Sequence, residues 1–121
     1  MKKSSFLILI SILLYACNVD TNSSSIAQLA SGYELYQKNC ANCHGDDGSG
    51  LKRLIPPLKN ADFLKTNTPN LEQIIVKGMQ GSIKVNGILY NGLMPANPKI
   101  SKTEVEAIKQ FVLIKFNEAE N

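Results

Sequence analysis

Apolar residues recur at helical spacing in three separate stretches of this 121-residue chain. Repeats of three and four positions place side chains on one face of a helix, so the pattern predicts helices over residues 30–40, 70–77 and 101–116. Ser101 and Glu104 open the last stretch with the spacing of a capping box, which satisfies two backbone N–H groups at a helix start. The C-terminal helix is therefore the best defined of the three.

The segment between the second and third helices has a different pattern. Ile83-Lys84-Val85 and Ile88-Leu89-Tyr90 flank the pair Asn86-Gly87. An Asn-Gly pair in this position favours a two-residue turn, because both residues tolerate a positive φ. A short hairpin is therefore predicted ahead of the terminal helix.

The first sixteen residues have the composition of an export signal. Lys2-Lys3 precedes an apolar run over residues 6–14 that only Ser11 interrupts. This run is much shorter than the roughly 20 apolar residues that a spanning helix needs, so a cleaved signal peptide is favoured over a transmembrane anchor. Residues 1–16 are thus a predicted signal peptide, and the mature chain is expected on the periplasmic or cell-surface side of a bacterial membrane.

Leu14-Tyr15-Ala16-Cys17 resembles the lipobox of bacterial lipoproteins, in which the cysteine thiol takes a diacylglycerol. The resemblance implies that lipid on Cys17 anchors the chain to a membrane, with an ordinary secretory peptide as the alternative. Residues 18–28 are polar and aperiodic, which predicts a flexible linker. The predicted organisation is a lipidated tether over 17–29 and one domain over 30–121.

Charge excludes one class of partner. Removing Lys2 and Lys3 from the 13 basic residues leaves 11, against 10 acidic residues. Phosphate binding needs a concentrated basic surface, and no lysine or arginine cluster with interleaved aromatics occurs in the sequence. Nucleic acid is therefore not an expected partner.

Cys40-Ala41-Asn42-Cys43-His44 has the CxxCH spacing of covalent haem c attachment. Two cysteines three positions apart lie on one side of a helical turn, where both thiols can form thioethers to haem vinyl groups. The next residue, His44, is then carried under the ring to ligate the iron, and its second ring nitrogen needs a fixed acceptor. The motif predicts one haem c, bound through Cys40 and Cys43 with His44 on the metal.

Three other interpretations of the two cysteines stay open at this point. A thioredoxin-like redox pair requires a strand–helix–strand context, whereas a helix is predicted on the N-terminal side. A structural zinc site requires four ligands, and the chain offers no second Cys/His pair. A structural disulfide would close a loop too short to stabilise the fold by much.

The order of elements, from a first helix through CxxCH, a proline loop and a short helix to Met-Pro and a terminal helix, resembles the class I cytochrome c family. The resemblance covers the chain from about Ala30 to the end. Gly32 and Tyr36 match the Gly/aromatic pair that lets the first helix cross the last one, with Ile108 and Phe111 as partners. It implies an all-α fold of three to four helices around one covalent haem, with a hairpin-like loop before a Met ligand.

The proline loop of the family matches residues 56–58. The resemblance implies that the Pro56 carbonyl accepts a hydrogen bond from His44 Nδ1 and that Leu58 packs on the haem. Pro57 is an alternative for the same role as Pro56.

The resemblance also implies the second iron ligand. Met94 precedes Pro95 as in the Met-Pro motif of the family, which makes its thioether the expected partner of His44 on the iron. Met79 is the rival candidate, although a lone Met is more often core filler. An open or water-bound iron stays as a third possibility.

The expected function is single-electron transfer between a redox-protein donor and acceptor, not catalysis. An iron with two side-chain ligands keeps no open position for substrate, so no catalytic residue is assigned. Two alternatives remain: a cytochrome subunit of a membrane dehydrogenase or oxidase complex, and an open-iron haem enzyme or gas-binding protein.

Overall fold

A computed structural model describes residues 21–117 of the chain, and the side chains from Ser24 onward. Within this range it contains four helices of six or more residues and one single-turn helix. The helices are α1 Thr21–Asn39, α2 Ala41–His44, α3 Asp62–Asn67, α4 Leu71–Lys77 and α5 Lys102–Asn117, with a 3₁₀ turn over Thr68–Asn70. The all-α prediction is confirmed, since strands account for only ten of the described residues: β1 Met79–Gln80, β2 Ile83–Val85, β3 Ile88–Tyr90 and β4 Leu93–Met94.

Helices α1 and α5 cross at Gly32, where the two backbones come into contact. A Cβ built on Gly32 would lie 2.4 Å from the carbonyl oxygen of Ala107 and 2.8 Å from Phe111 Cβ. Both distances are shorter than real Cβ contacts. Only glycine therefore permits this crossing, as the family resemblance implied, and Ala107 is the partner that sequence reasoning did not name.

One turn further along α1, Tyr36 fills the space beside the crossing. Its ring is fully buried, with its centroid 5.3 Å from that of Phe111 and 5.3 Å from that of Phe116. Its hydroxyl donates to the carbonyl of Gly45, at 2.6 Å. Burial raises the pKa of Tyr36, the largest of several causes, so the phenol stays protonated as the donor. Tyr36 thus connects the helix crossing to the residue that follows His44.

The prediction of a flexible linker is wrong over residues 21–28, because α1 begins at Thr21 and not at Ala30. No Gly or Pro interrupts residues 21–31, so the helix nucleated by the α5 contact propagates backward at little cost per residue. Leu29 packs against the core and extends the buried face by one turn. The predicted signal peptide and lipid site, with Cys17, lie outside the described residues.

The hairpin prediction is confirmed. Strands β2 and β3 pair antiparallel, with Val85 opposite Ile88, and the turn residues Asn86 and Gly87 have φ of 49° and 80°. The Asp62 carboxylate accepts from the Asn86 N–H at 2.7 Å, and Asn86 Oδ1 accepts from the Asp62 N–H at 3.0 Å. This reciprocal pair fixes the hairpin to the start of α3.

The predicted capping box opens helix α5. The Glu104 carboxylate accepts from the Ser101 N–H at 2.8 Å, and Ser101 Oγ accepts from the Glu104 N–H at 3.3 Å. The hydrogen bonds from Ser101 hold the pKa of Glu104 below its usual value. The buried face of the helix consists of Val105, Ala107, Ile108, Phe111, Val112 and Phe116. Ile114, an apolar residue of the same helix, is 41% exposed.

Helix α4 begins and ends as its sequence predicts. The Thr68–Asn70 turn carries Pro69 and leads directly into Leu71, and Gly78 ends the helix with φ of 73°. Gly is favoured there because a side chain is strained at positive φ. The end of α4 is thereby set beside the segment that carries Met94.

Candidate functional site

The two cysteines of the CxxCH motif flank the single-turn helix α2. The N–H groups of Cys43 and His44 both donate to the Cys40 carbonyl, at 3.1 and 2.9 Å, which coils the motif into one compact turn. Cys40 is half-buried and Cys43 is exposed. The turn therefore presents two cysteine side chains and a histidine from five consecutive positions.

Burial raises the pKa of the Cys40 thiol to about 11, with a smaller contribution from Cys43. A thioredoxin-like pair depends on a depressed cysteine pKa, because the thiolate is the nucleophile. A protonated Cys40 at neutral pH does not suit that chemistry. Within residues 21–117, no group of three or more Cys, His, Asp or Glu side chains is placed to hold a metal ion.

His44 is buried, with 8% of its surface exposed, and its Nδ1 lies 3.1 Å from the Pro56 carbonyl oxygen. A carbonyl only accepts, so Nδ1 carries the proton and Nε2 keeps its lone pair. Burial lowers the pKa of His44, against a smaller opposing effect of the Pro56 carbonyl. The imidazole is thus held neutral and in the tautomer that leaves Nε2 available as a ligand.

The carbonyl that orients His44 belongs to Pro56, which settles the alternative between Pro56 and Pro57. The segment before it folds back on the motif, because the Gly50 N–H donates to the His44 carbonyl at 2.8 Å. Gly50 has φ of 71°, and a Cβ there would lie 2.4 Å from the Ile55 carbonyl oxygen. Backbone contact at Gly50 thus brings Pro56 up to the imidazole.

Two clefts open on either side of His44. The first has about 700 Å³ of empty space, counting solvent at its mouth, and includes Cys40 in its lining. The second has about 560 Å³ on the same measure and includes Cys43. Residues common to both linings are His44, Pro56, Met79, Ile83 and Met94. The clefts are therefore two parts of one slot, with a thiol on each part.

The walls of the first cleft are almost entirely apolar. The aliphatic side chains that line it include Leu58, Leu64, Leu71, Ile74, Ile75 and Val112. The family resemblance implies that Leu58 packs on the haem, and Leu58 lies in this wall. Cofactor and small-molecule sites are lined predominantly by hydrophobic side chains, so this wall suits a largely apolar group.

Met79 and Met94 are brought together opposite each other in a small ladder. Strands β1 and β4 pair antiparallel with Met79 opposite Met94. Directly opposed residues of such a pair project from the same face of the ladder, with Cβ atoms roughly 4.5–5.5 Å apart. Both thioethers therefore belong to one wall of the slot, and the sequence pattern did not predict this pairing.

The donor set and shape of the slot fit a haem c. A flat apolar ring needs aliphatic walls, two thiols at one edge, a neutral imidazole and a soft thioether, and the slot supplies each of these. Cys40, Cys43, His44 and a methionine are the residues that would hold it.

Comparison with known proteins identifies the family. Residues 27–112 match the family described as cytochrome c oxidase, cbb3-type, subunit III. The chain belongs to the c-type cytochromes.

Two cytochromes are similar to this one over most of the domain, and a third protein matches a shorter stretch that covers 39% of this chain. Cytochrome c-552 of Thermus thermophilus is 30% identical over 94 residues, which cover 74% of this chain and 71% of that protein. Cytochrome c-551 of Bacillus subtilis is 32% identical over 91 residues, covering 69% and 66% respectively. The cytochrome c subunit of the quinone alcohol dehydrogenase of Gluconobacter oxydans is 40% identical over 48 residues, only 10% of that subunit. As a member of this family, the cytochrome carries a covalently attached haem c and serves electron transfer.

Sequence reasoning missed the residues of this cytochrome that have no side chain or little of one. Gly78 and Ala107 each meet a segment distant in sequence, and Gly50 meets the backbone of Ile55 and Pro56 at the end of its own loop. The glycine-rich run over residues 45–50 predicts a tight turn, but it does not indicate which backbone the turn contacts.

No helix within residues 21–117 is long and apolar enough to cross a membrane.

Proposed function

We propose that this cytochrome is a carrier of single electrons, with its haem attached through Cys40 and Cys43 and its iron held between His44 and Met94. The observation that supports this most strongly is the fixed, neutral imidazole. His44 Nδ1 is held 3.1 Å from the Pro56 carbonyl, and the same slot is lined by Met94. When bound, the haem supplies an iron that gains and loses one electron.

His44 contributes more than a ligand atom. Its buried ring is fixed by Pro56, so it keeps one orientation whether the protein is oxidised or reduced. A ligand that does not move keeps the structural change on electron transfer small. Electron exchange is then fast because little of the protein has to rearrange.

Met94 is proposed as the second ligand, in preference to Met79. Both residues line the slot and face each other across β1 and β4. Met94 precedes Pro95, which has no N–H and a fixed φ, and this restricts the backbone next to the ligand. A thioether there favours ferrous iron and raises the potential.

The proposed route for the electron is the edge of the slot at Cys43. Cys43 is exposed, and Leu54 and Leu93, which line the same cleft, are 69% and 70% exposed. A small apolar surface beside the cofactor edge suits brief contact with a redox protein, which docks weakly and leaves quickly. Donor and acceptor are proposed to use this edge in turn.

The visible spectrum tests the proposal. The full chain, matured with haem c attachment machinery, is expected to give a low-spin reduced-minus-oxidised spectrum that carbon monoxide does not shift. The saturated iron has no open position, which is the physical reason. A high-spin spectrum that shifts with carbon monoxide would support an open-iron haem protein instead, and a colourless product would contradict haem attachment altogether.

A second candidate is a cytochrome subunit of a membrane dehydrogenase or oxidase complex. Two matches favour it, because the family is described by an oxidase subunit and one relative is a dehydrogenase subunit. Purification in mild detergent separates the two candidates. A stable stoichiometric partner identifies a subunit, whereas a carrier purifies alone.

We also propose that the chain is exported and held at a bacterial membrane by lipid on Cys17. The support is the lipobox-like sequence that ends at this residue. Helix α1 begins at Thr21, so the backbone reach from Cys17 to the helix is at most about 14 Å. The haem domain would then stay close to the lipid surface, since more than one acyl chain gives a durable attachment.

Replacing Cys17 tests the anchor. The full chain is expected to sediment with membranes and to incorporate labelled fatty acid, and Cys17→Ser is expected to do neither, because serine has no thiol to acylate. Asn18→Ser serves as the matched control and keeps both properties. Membrane association that survives in Cys17→Ser would contradict the lipid anchor without affecting the haem assignment.

A further inference from the structure

Gly78 lies between helix α4 and strand β1, and its backbone touches the segment that carries Met94. Its φ is 73° and its ψ is −175°, a conformation that is nearly confined to glycine. A Cβ built there would lie 2.4 Å from the Met94 carbonyl oxygen, 2.7 Å from Ala96 N and 2.9 Å from Pro95 C. No side chain fits at this position while Met94 stays in place.

Two further contacts hold the same segment on either side of Gly78. The Asn97 N–H donates to the Val76 carbonyl, at 3.1 Å, near the end of α4. Met94 is also paired with Met79 in the β1–β4 ladder. The backbone from Met94 to Asn97 is thus fixed at three points to the chain around Gly78.

We propose that Gly78 is a positioning residue for the sixth iron ligand. It lets the Met94 backbone lie directly against the end of α4, which would hold the thioether in place as a ligand. This inference rests on the proposed ligation by Met94. It adds that the strength of ligation is set by a backbone contact at a residue that does not line the slot.

The fold supplies a matched control for the special backbone conformation. Gly87 also has a positive φ, of 80°, yet a Cβ built there would meet no atom within 4 Å. Alanine at this position incurs the conformational strain of positive φ without any clash. Comparing Gly87→Ala with Gly78→Ala therefore distinguishes the effect of the clash with the Met94 segment from the effect of strain at positive φ.

Imidazole, a small ligand that competes with the methionine for iron, is the probe. In Gly78→Ala we expect the affinity of the ferric protein for imidazole to rise by about tenfold, equivalent to weakening Met94 ligation by about 1.4 kcal/mol. The midpoint potential is expected to fall, because the thioether favours ferrous iron. In Gly87→Ala both quantities are expected to stay at the wild-type values. Equal imidazole affinity in Gly78→Ala and Gly87→Ala would overturn the inference.

The wild-type protein provides a second measurement, should Gly78→Ala fail to fold. Its Asn97 amide is expected to exchange with solvent as slowly as the amides of α4, because the segment is seated against that helix. Exchange at the rate of an open loop would overturn the inference. If wild type itself lacks methionine ligation by its spectrum, the proposed function fails. Failure of the Gly78 comparison in a methionine-ligated protein counts against the positioning role alone.

Discussion

Substitution of Met94 by alanine is expected to remove the sixth ligand and to lower the midpoint potential by on the order of a few tenths of a volt, since axial ligands tune haem potentials over about 0.8 V. The sign follows from the thioether, which stabilises ferrous iron more than ferric iron. The open position is then expected to bind carbon monoxide, which the proposed ligation prevents in the wild-type protein. Potentiometry and the ferrous spectrum with and without carbon monoxide measure both effects.

Met79→Ala is the matched control for this prediction. It removes the same side chain from the directly opposed position of the same ladder. We expect this variant to keep a low-spin spectrum and a potential close to wild type. If Met79→Ala lowers the potential and binds carbon monoxide while Met94→Ala does neither, Met79 is the ligand. If neither variant changes the spectrum, no methionine of this ladder holds the sixth position.

Gly32→Ala is expected to destabilise the cytochrome by about 2–3 kcal/mol, the upper part of the usual range for overpacking. The added methyl would lie 2.4 Å from the Ala107 carbonyl oxygen, which is backbone and cannot move aside as a side chain does. Helices α1 and α5 must separate instead. For a domain of this size the melting temperature should fall by roughly 10–20 °C, at about 4–8 °C per kcal/mol.

The sign of this effect is informative, because alanine in an exposed helix interior is about 1 kcal/mol more favourable than glycine. Helix propensity alone therefore predicts that Gly32→Ala stabilises the protein. Ser31→Ala, at the neighbouring exposed position of α1, gains propensity without a clash and serves as the control. A rise in melting temperature for both variants would contradict a close crossing at Gly32. Thermal unfolding followed by far-ultraviolet circular dichroism makes the comparison.

The elements that the sequence predicts correctly are those with a local cause. The capping box depends on two residues three positions apart, and the hairpin on Asn86-Gly87 between paired segments. The start of α1 was predicted wrongly because its cause is not local. Polar residues between 21 and 28 have modest helix propensity, and the helix persists there because Leu29 and the α5 contact support it from farther along the chain.

By itself, the sequence determined the chemistry that this cytochrome can carry. Cys40, Cys43 and His44 lie within five consecutive positions, so one helical turn brings them together whatever surrounds it. Their spacing favours haem c over the other uses of a cysteine pair.

The tertiary structure decided how that chemistry is held. The choice of Pro56 over Pro57, the pairing of Met79 with Met94 and the contacts of Gly32 and Gly78 join segments far apart in sequence. Each of these contacts involves backbone atoms, which every residue has, so the residue types alone do not fix which segments meet. They appear only when packing of α1 on α5, and of α4 on the Met94 segment, brings two stretches of backbone within van der Waals distance.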